Sequence, residues 1–269
     1  MPEYISKLTF TVSKSIHNLT SLICIFCLVT ISSGSAYALK AVSLVDNTKL
    51  VRLSTPQLSP NGKYVAVIVR QAEMAENRYI NSLILIDVNN KKQQVLTHNR
   101  SAVRDVRCSP NGEMLAFIAK GKQGNSQIFS LSLIGGEAIQ ISHSPTGIES
   151  FEWHPDGKDI AFISQPQEIQ NNGISKYNKS FEVGDNNFLD QSAAATSQIW
   201  LLEISSGEVK HISKGHDGVS TYYGGEMSWS IDGQYLAYTS QTIAGMAHYV
   251  ASRINIIKVS DGSLHPITN

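Results

Sequence analysis

Few places in this chain set reactive side chains at spacings that chemistry uses. Cys24 and Cys27 stand in a CxxC pattern, the spacing of redox dithiols and zinc ligands. Glu73 and Glu76, in QAEMAENRY, place two carboxylates three residues apart, and His216 precedes Asp217 in a Gly-bounded loop. None of these develops into a site. The CxxC lies inside an apolar run, LICIFCLVTI, and the two acids read as a solvated loop. No HExxH and no clustered carboxylates suggest a metal, no G-x-S-x-G turn offers a nucleophile, and no Asp–His pairing can be placed among the eight histidines. No catalytic, cofactor-binding or metal-ligating residue is therefore assigned, and no cofactor is expected.

The elements that would have to position any such residue begin after a leader. Lys7 and Lys14 precede the apolar run, and SSGSAYA follows it with Ala36 and Ala38 at the positions of an A-x-A cleavage site. That order reads as a signal peptide over residues 1–38, because about 20 apolar residues would be needed to span a bilayer. The expectation is an exported chain, periplasmic or secreted, without a membrane segment after cleavage. Cleavage leaves only Cys108, so no internal disulfide can form, and Cys108 reads as a small hydrophobe in a strand. Lys plus Arg and Asp plus Glu are 22 each, a balance that argues against a nucleic-acid binder.

The rest of the chain repeats itself. LSPNGKYVAVIV, CSPNGEMLAFIA, WHPDGKDIAFIS and WSIDGQYLAYTS begin at Leu58, Cys108, Trp153 and Trp229. Each is a turn ending in Gly, then an apolar run with a central Ala, which reads as a strand buried on both faces. A second phrase follows each: LILIDVNNKKQQVLT, QIFSLSLIGGEAIQIS, QIWLLEISSGEVKHIS and RINIIKVSDGSLHPIT, two short runs about a turn, ending in Ser or Thr. The turn glycines, Gly62, Gly112, Gly157 and Gly233, lie 50, 45 and 76 residues apart. Four-strand units of this size are blades of an all-β, β-propeller fold. The blades are expected at about 53–98, 102–143, 148–213 and 225–268, within a domain spanning 39–269. An insertion, 166–197, parts the second and third strands of the third blade. Trp153 and Trp229 are expected to fill space between blades. His98, His143, His211 and His265 fall near the ends of phrases, at surface strand or turn positions.

These phrases resemble the propeller repeats shared by TolB-like proteins and the prolyl oligopeptidase family of serine peptidases. KLVRLSTPQLSPNGKYVAV resembles the start of the peptidases' N-terminal propeller. KSFEVGDNNFLDQSAAATSQIWLLEI with GGEMSWSIDGQYLAYTSQ is similar to a stretch of their dipeptidyl- and acylaminoacyl-peptidase branches. The likeness covers about residues 46–268. It implies a propeller that caps an α/β-hydrolase domain carrying the Ser, Asp and His, a domain absent from this chain. Peptide substrates would then be met through that missing domain. The TolB side of the resemblance implies instead a non-enzymatic propeller with protein partners. Dipeptidyl peptidases hold the substrate amine with an acidic pair in the propeller, but no Glu-Glu occurs here, so no residue is carried over. Both families use more than four blades, so an incomplete ring and an N-terminal piece of a longer protein are expected.

Overall fold

The computed structural model describes residues 43–97, 100, 102–167, 196–215, 217–220, 226–242 and 252–268. The expected signal peptide, with Cys24 and Cys27, and most of the insertion lie outside them, as do His98 and His216. The chain divides into two compact units, residues 1–47 and 48–269. A short helix, α1 (Leu44–Thr48), follows Ser43, whose amide and hydroxyl both donate to Asp46 Oδ2. This is the reciprocal capping that starts a helix. Among the described residues no helix is long and apolar enough to cross a membrane.

The remainder is four antiparallel sheets in chain order. The first contains β1 (Arg52–Leu58), β2 (Tyr64–Glu73), β3 (Arg78–Asp87) and β4 (Gln93–Val95). The second contains β5 (Arg104–Cys108), β6 (Met114–Lys120), β7 (Ser126–Ser132) and β8 (Ile139–Gln140). The third contains β9 (Ser150–Trp153), β10 (Asp159–Ser164), β11 (Gln198–Glu203) and β12 (Val209–His211). The fourth contains β13 (Gly218–Val219), β14 (Met227–Trp229), β15 (Tyr235–Gln241), β16 (Arg253–Lys258) and β17 (Leu264–Pro266). β13 pairs with Ser240 and Gln241, and β14 pairs with residues 236–238 on the same edge of β15. The two short pieces therefore act as one broken first strand. The all-β architecture and the blade meander match the reading of the repeats.

Apolar burial explains the stacking. Along β6, Leu115, Phe117 and Ala119 enter a core shared with Ala66, Ile68, Leu83 and Leu85 of the first sheet. The intervening Ala116 and Ile118 enter a second core with Phe151, Trp153, Ile160 and Phe162 of the third. β10 repeats the pattern: Ile160 and Phe162 face the second sheet, while Ala161 and Ile163 join Leu236, Tyr238 and Ile257 of the fourth. A strand alternates its side chains between faces, so an unbroken apolar run serves two cores at once. The first and fourth sheets each have such a neighbour on one side. Leu53, opposite Val69 on the far face of the first sheet, is 67% exposed, and Ile254 on the far face of the fourth is 48% exposed. Among the described residues no core joins the fourth sheet to the first.

Two small polar signatures recur among the sheets. In three of the turns a serine hydroxyl donates to the Asn or Asp two residues on and accepts the amide that opens the next strand. The donor bonds are Ser59 to Asn61 at 2.8 Å, Ser109 to Asn111 at 2.6 Å and Ser230 to Asp232 at 2.6 Å. The Ser or Thr closing each second phrase accepts an amide of the third strand: Leu83 to Thr97, Ile128 to Ser142, Ile199 to Ser213 and Ile254 to Thr268, all at 2.7–2.9 Å. These hydroxyls satisfy ladder amides beyond the end of the short fourth strand.

The third turn replaces serine by His154. Its Nδ1 lies 2.7 Å from Asp156 Oδ1, its Nε2 lies 3.1 Å from the Gly233 carbonyl of the next turn, and its ring meets Trp229 edge-on at 4.6 Å. An Asp–His pair therefore exists, contrary to the sequence reading. It arises because a ring standing where the other turns carry Ser reaches both its own turn's acid and the neighbouring blade.

The turn glycines differ in what they permit. Gly62 has φ +68, and a methyl group added there would meet nothing within 4 Å, whereas a Cβ on Gly233, at φ +71, would overlap the pinned His154 ring. Gly62→Ala is expected to cost about 1 kcal/mol through the left-handed backbone alone. Gly233→Ala is expected to cost about 2–4 kcal/mol because overpacking is added. Urea unfolding of both variants checks the order, and equal losses would contradict it.

Candidate functional site: the charged inner strands

The first strands of successive sheets, β1, β5, β9 and β14, approach one another, so they line the axis that the blades share. A bulge shapes β5. Arg104 pairs with Ile118 and Arg107 with Ala116, leaving two residues between them on β5 against one on β6. Asp105 absorbs the extra residue at φ 49, and Thr55 does the same at φ 45 in the matching bulge of β1. Such conformations are costly for residues with a Cβ, and bulges re-aim side chains. Here the bulge brings Arg104, Asp105 and Arg107 close to β9.

The result is a chain of charges across two blades. Arg104 donates from Nη1 to the Glu149 carbonyl at 2.6 Å and from Nη2 to the Ile148 carbonyl at 2.7 Å. Burial lowers its pKa, opposed by Asp105 and Glu149. Arg107 pairs through Nε with Asp105 at 3.2 Å and through Nη1 with Glu152, and its guanidinium lies 5.7 Å from the Phe151 ring centroid. Burial pushes the Glu152 carboxyl up, with Asp105 adding to the rise and Arg107 opposing it. Ser197 donates to Glu149 Oε1 at 2.7 Å, while Glu149 Oε2 is buried without a hydrogen-bond partner. An oriented carboxylate beside guanidinium groups fixed by carbonyls and acids makes a charged cluster of set geometry on the inner strands.

Among the described residues no arrangement for nucleophilic catalysis accompanies it. The imidazole of His154 points Nε2 at a backbone carbonyl rather than at a hydroxyl or thiol. Cys108 is half-buried against the first core, and burial pushes its thiol up, so it is a packing residue. Glu73 is engaged with Arg78 at 2.6 Å across the β2–β3 hairpin, and Glu76 is exposed in the short 3-10 turn Met74–Glu76. The two do not form a clamp. His143 and His265 are exposed, and His211 stacks on Trp200 at 4.1 Å. Burial lowers the His211 pKa, with Lys214 adding to the effect. Among the described residues no three His, Cys, Asp or Glu side chains converge as a metal site would need. Trp153 and Trp229 pack in the second and third inter-blade cores. Sequence reading missed the inner-strand charges, and RDVRC against SFEW carries the only signal: charged residues in a strand that its neighbours make apolar.

No protein-family profile matches the chain. An uncharacterized peptidase of Bacillus subtilis, YuxL, is 24% identical over 220 residues, covering 75% of this chain and 31% of its own length. The chain thus spans about a third of that relative. An acylaminoacyl peptidase of Pyrococcus horikoshii superposes with a TM-score of 0.59 at 18% identity, covering 82% of this chain and 33% of that one. A protein assigned as TolB from Agrobacterium tumefaciens superposes with a TM-score of 0.51 at 19% identity, covering 81% of this chain and 62% of that one. The fold is that of TolB-like and peptidase propellers.

The Glu152 environment gives a pH signature. Its folded pKa is raised, so its contribution to stability is complete below the unfolded carboxylate pKa and declines as pH climbs through the folded value. Glu152→Gln removes that decline. The variant's melting temperature relative to the parent is expected to rise between about pH 4 and about pH 7. A relative fall over that interval would contradict the assignment.

Proposed function

We propose that this chain is the substrate-gating propeller portion of an exported serine peptidase of the prolyl oligopeptidase type, acting on peptides. Hydrolysis is assigned to an α/β-hydrolase domain outside this chain. The observation that carries the reading is the 220-residue similarity, over 75% of this chain, to a peptidase about three times as long as the matched part. The inner strands supply a physical reason. A passage lined by fixed Arg107, Asp105 and Glu152 accepts an extended chain and its charges, while a folded protein is too wide to follow. The leader over residues 1–38 supports export.

A second reading, a non-enzymatic propeller that binds protein partners, is favoured by the TolB likeness and by the lack of a nucleophile–base pair among the described residues. One experiment separates them. Antibodies raised to residues 43–167 recover the native polypeptide from the cell envelope, and a fluorophosphonate probe is applied. The peptidase reading expects a labelled species longer than 269 residues. An unlabelled species recovered together with other proteins would overturn it in favour of the binding module.

A further inference from the structure

The second sheet, with the segment that leads into it, holds a cleft of about 580 Å³ whose lining includes Arg100, Lys120, Lys122, Phe129, Ala138 and Gln140. Arg100 is fixed there: its guanidinium lies 4.4 Å from the Phe129 ring centroid, and Nη2 donates to the Ala138 carbonyl at 3.0 Å. The cation is thus pre-positioned with N–H groups to spare, since a guanidinium carries five. Lys120 ends β6 and Lys122 lies in the β6–β7 loop; both are exposed, and neither ammonium group forms an ion pair with another described residue. Among the described residues no acid lines the cleft, although the whole chain balances 22 cations with 22 acids. Glu137, the neighbour of Ala138, is exposed and pairs with none of the three.

A second cavity of about 430 Å³ continues the cleft across Gly121, Lys122 and Gln140, and reaches Asn125, Gln127 and Pro145. Gly121 makes this continuity possible. A Cβ there would stand 2.9 Å from Gln127 Cγ and 3.0 Å from Gln140 Oε1, so the glutamine side chains lie flush on its backbone. All three cations line the first cavity, Lys122 also borders the second, and the two joined cavities make a trench of more room than one small anion fills. That distribution fits several carboxylates carried on an extended chain better than a single small anion.

We infer that this trench binds an acidic peptide segment, its carboxylates received by Arg100, Lys120 and Lys122. The site is independent of the inner strands and stands whether or not the chain serves a peptidase. The test is fluorescence anisotropy of fluorescein-labelled pentaglutamate with the full chain. Saturable binding at low salt is expected, weakened by about 0.3 M salt as screening shortens the reach of the charges. Lys120→Glu combined with Lys122→Glu, on surface positions that leave the core intact, is expected to weaken it at least about 10-fold. Arg100→Ala is expected to do the same, with circular dichroism checking that the Phe129 packing survives. Absence of saturable binding, unchanged binding by the double variant, or equal binding of pentalysine would overturn the inference. Displacement by millimolar inorganic phosphate would also overturn it, in favour of a small-anion site.

Discussion

A blade of this protein has two apolar faces and only neighbouring blades with which to cover them. The constraint is clearest at β6. Leu115, Phe117 and Ala119 are fully buried against one neighbour, and Ala116 and Ile118 are fully buried against the other. Sliding that strand by one residue would exchange the two sets, so packing of both cores fixes its register at once. Small Ala66, Ala116 and Ala161 at the centre of successive strands allow the sheets to close on one another.

Everything polar is arranged around that stack. The serine-anchored turns hold one end of the second strands, and the closing hydroxyls of Thr97, Ser142, Ser213 and Thr268 hold the far edge. With the sheets fixed, the first strands carry the residues that the cores do not need. The bulge at Asp105 is where β5 departs from regular pairing, and it delivers Arg104 and Arg107 to the backbone and acids that lead into β9. The same rigidity presents Arg100 beside Lys120 and Lys122 in one cleft of the second sheet. Loops and bulges positioned by a stiff scaffold are where propellers place recognition.

The blade architecture was legible because repetition multiplies a weak signal. One SPNG turn says little, but four turns followed by apolar runs with a shared alanine leave few alternatives. The double burial of β6 and β10 followed directly from their unbroken apolar runs. The charged inner strands were not legible, since Arg104 and Glu149 lie 45 residues apart and meet only when blades stack. The His154–Asp156 pair was within reach, two residues apart in WHPDG, but its meaning depends on Gly233 in the next blade. The trench at Arg100 was invisible for a similar reason: its cations come from separate segments, and Phe129 and the Ala138 carbonyl fix one of them.

Amide hydrogen exchange resolved along the chain tests the stacking account most directly. Strands covered on both faces open only when neighbouring sheets separate, whereas strands with one bare face open locally. The account predicts that amides of β6 and β10 exchange most slowly, and that those of β1, β4 and β17 exchange markedly faster. Protection in β1 and β17 as high as in β6 and β10, or fast exchange along β6, would contradict it.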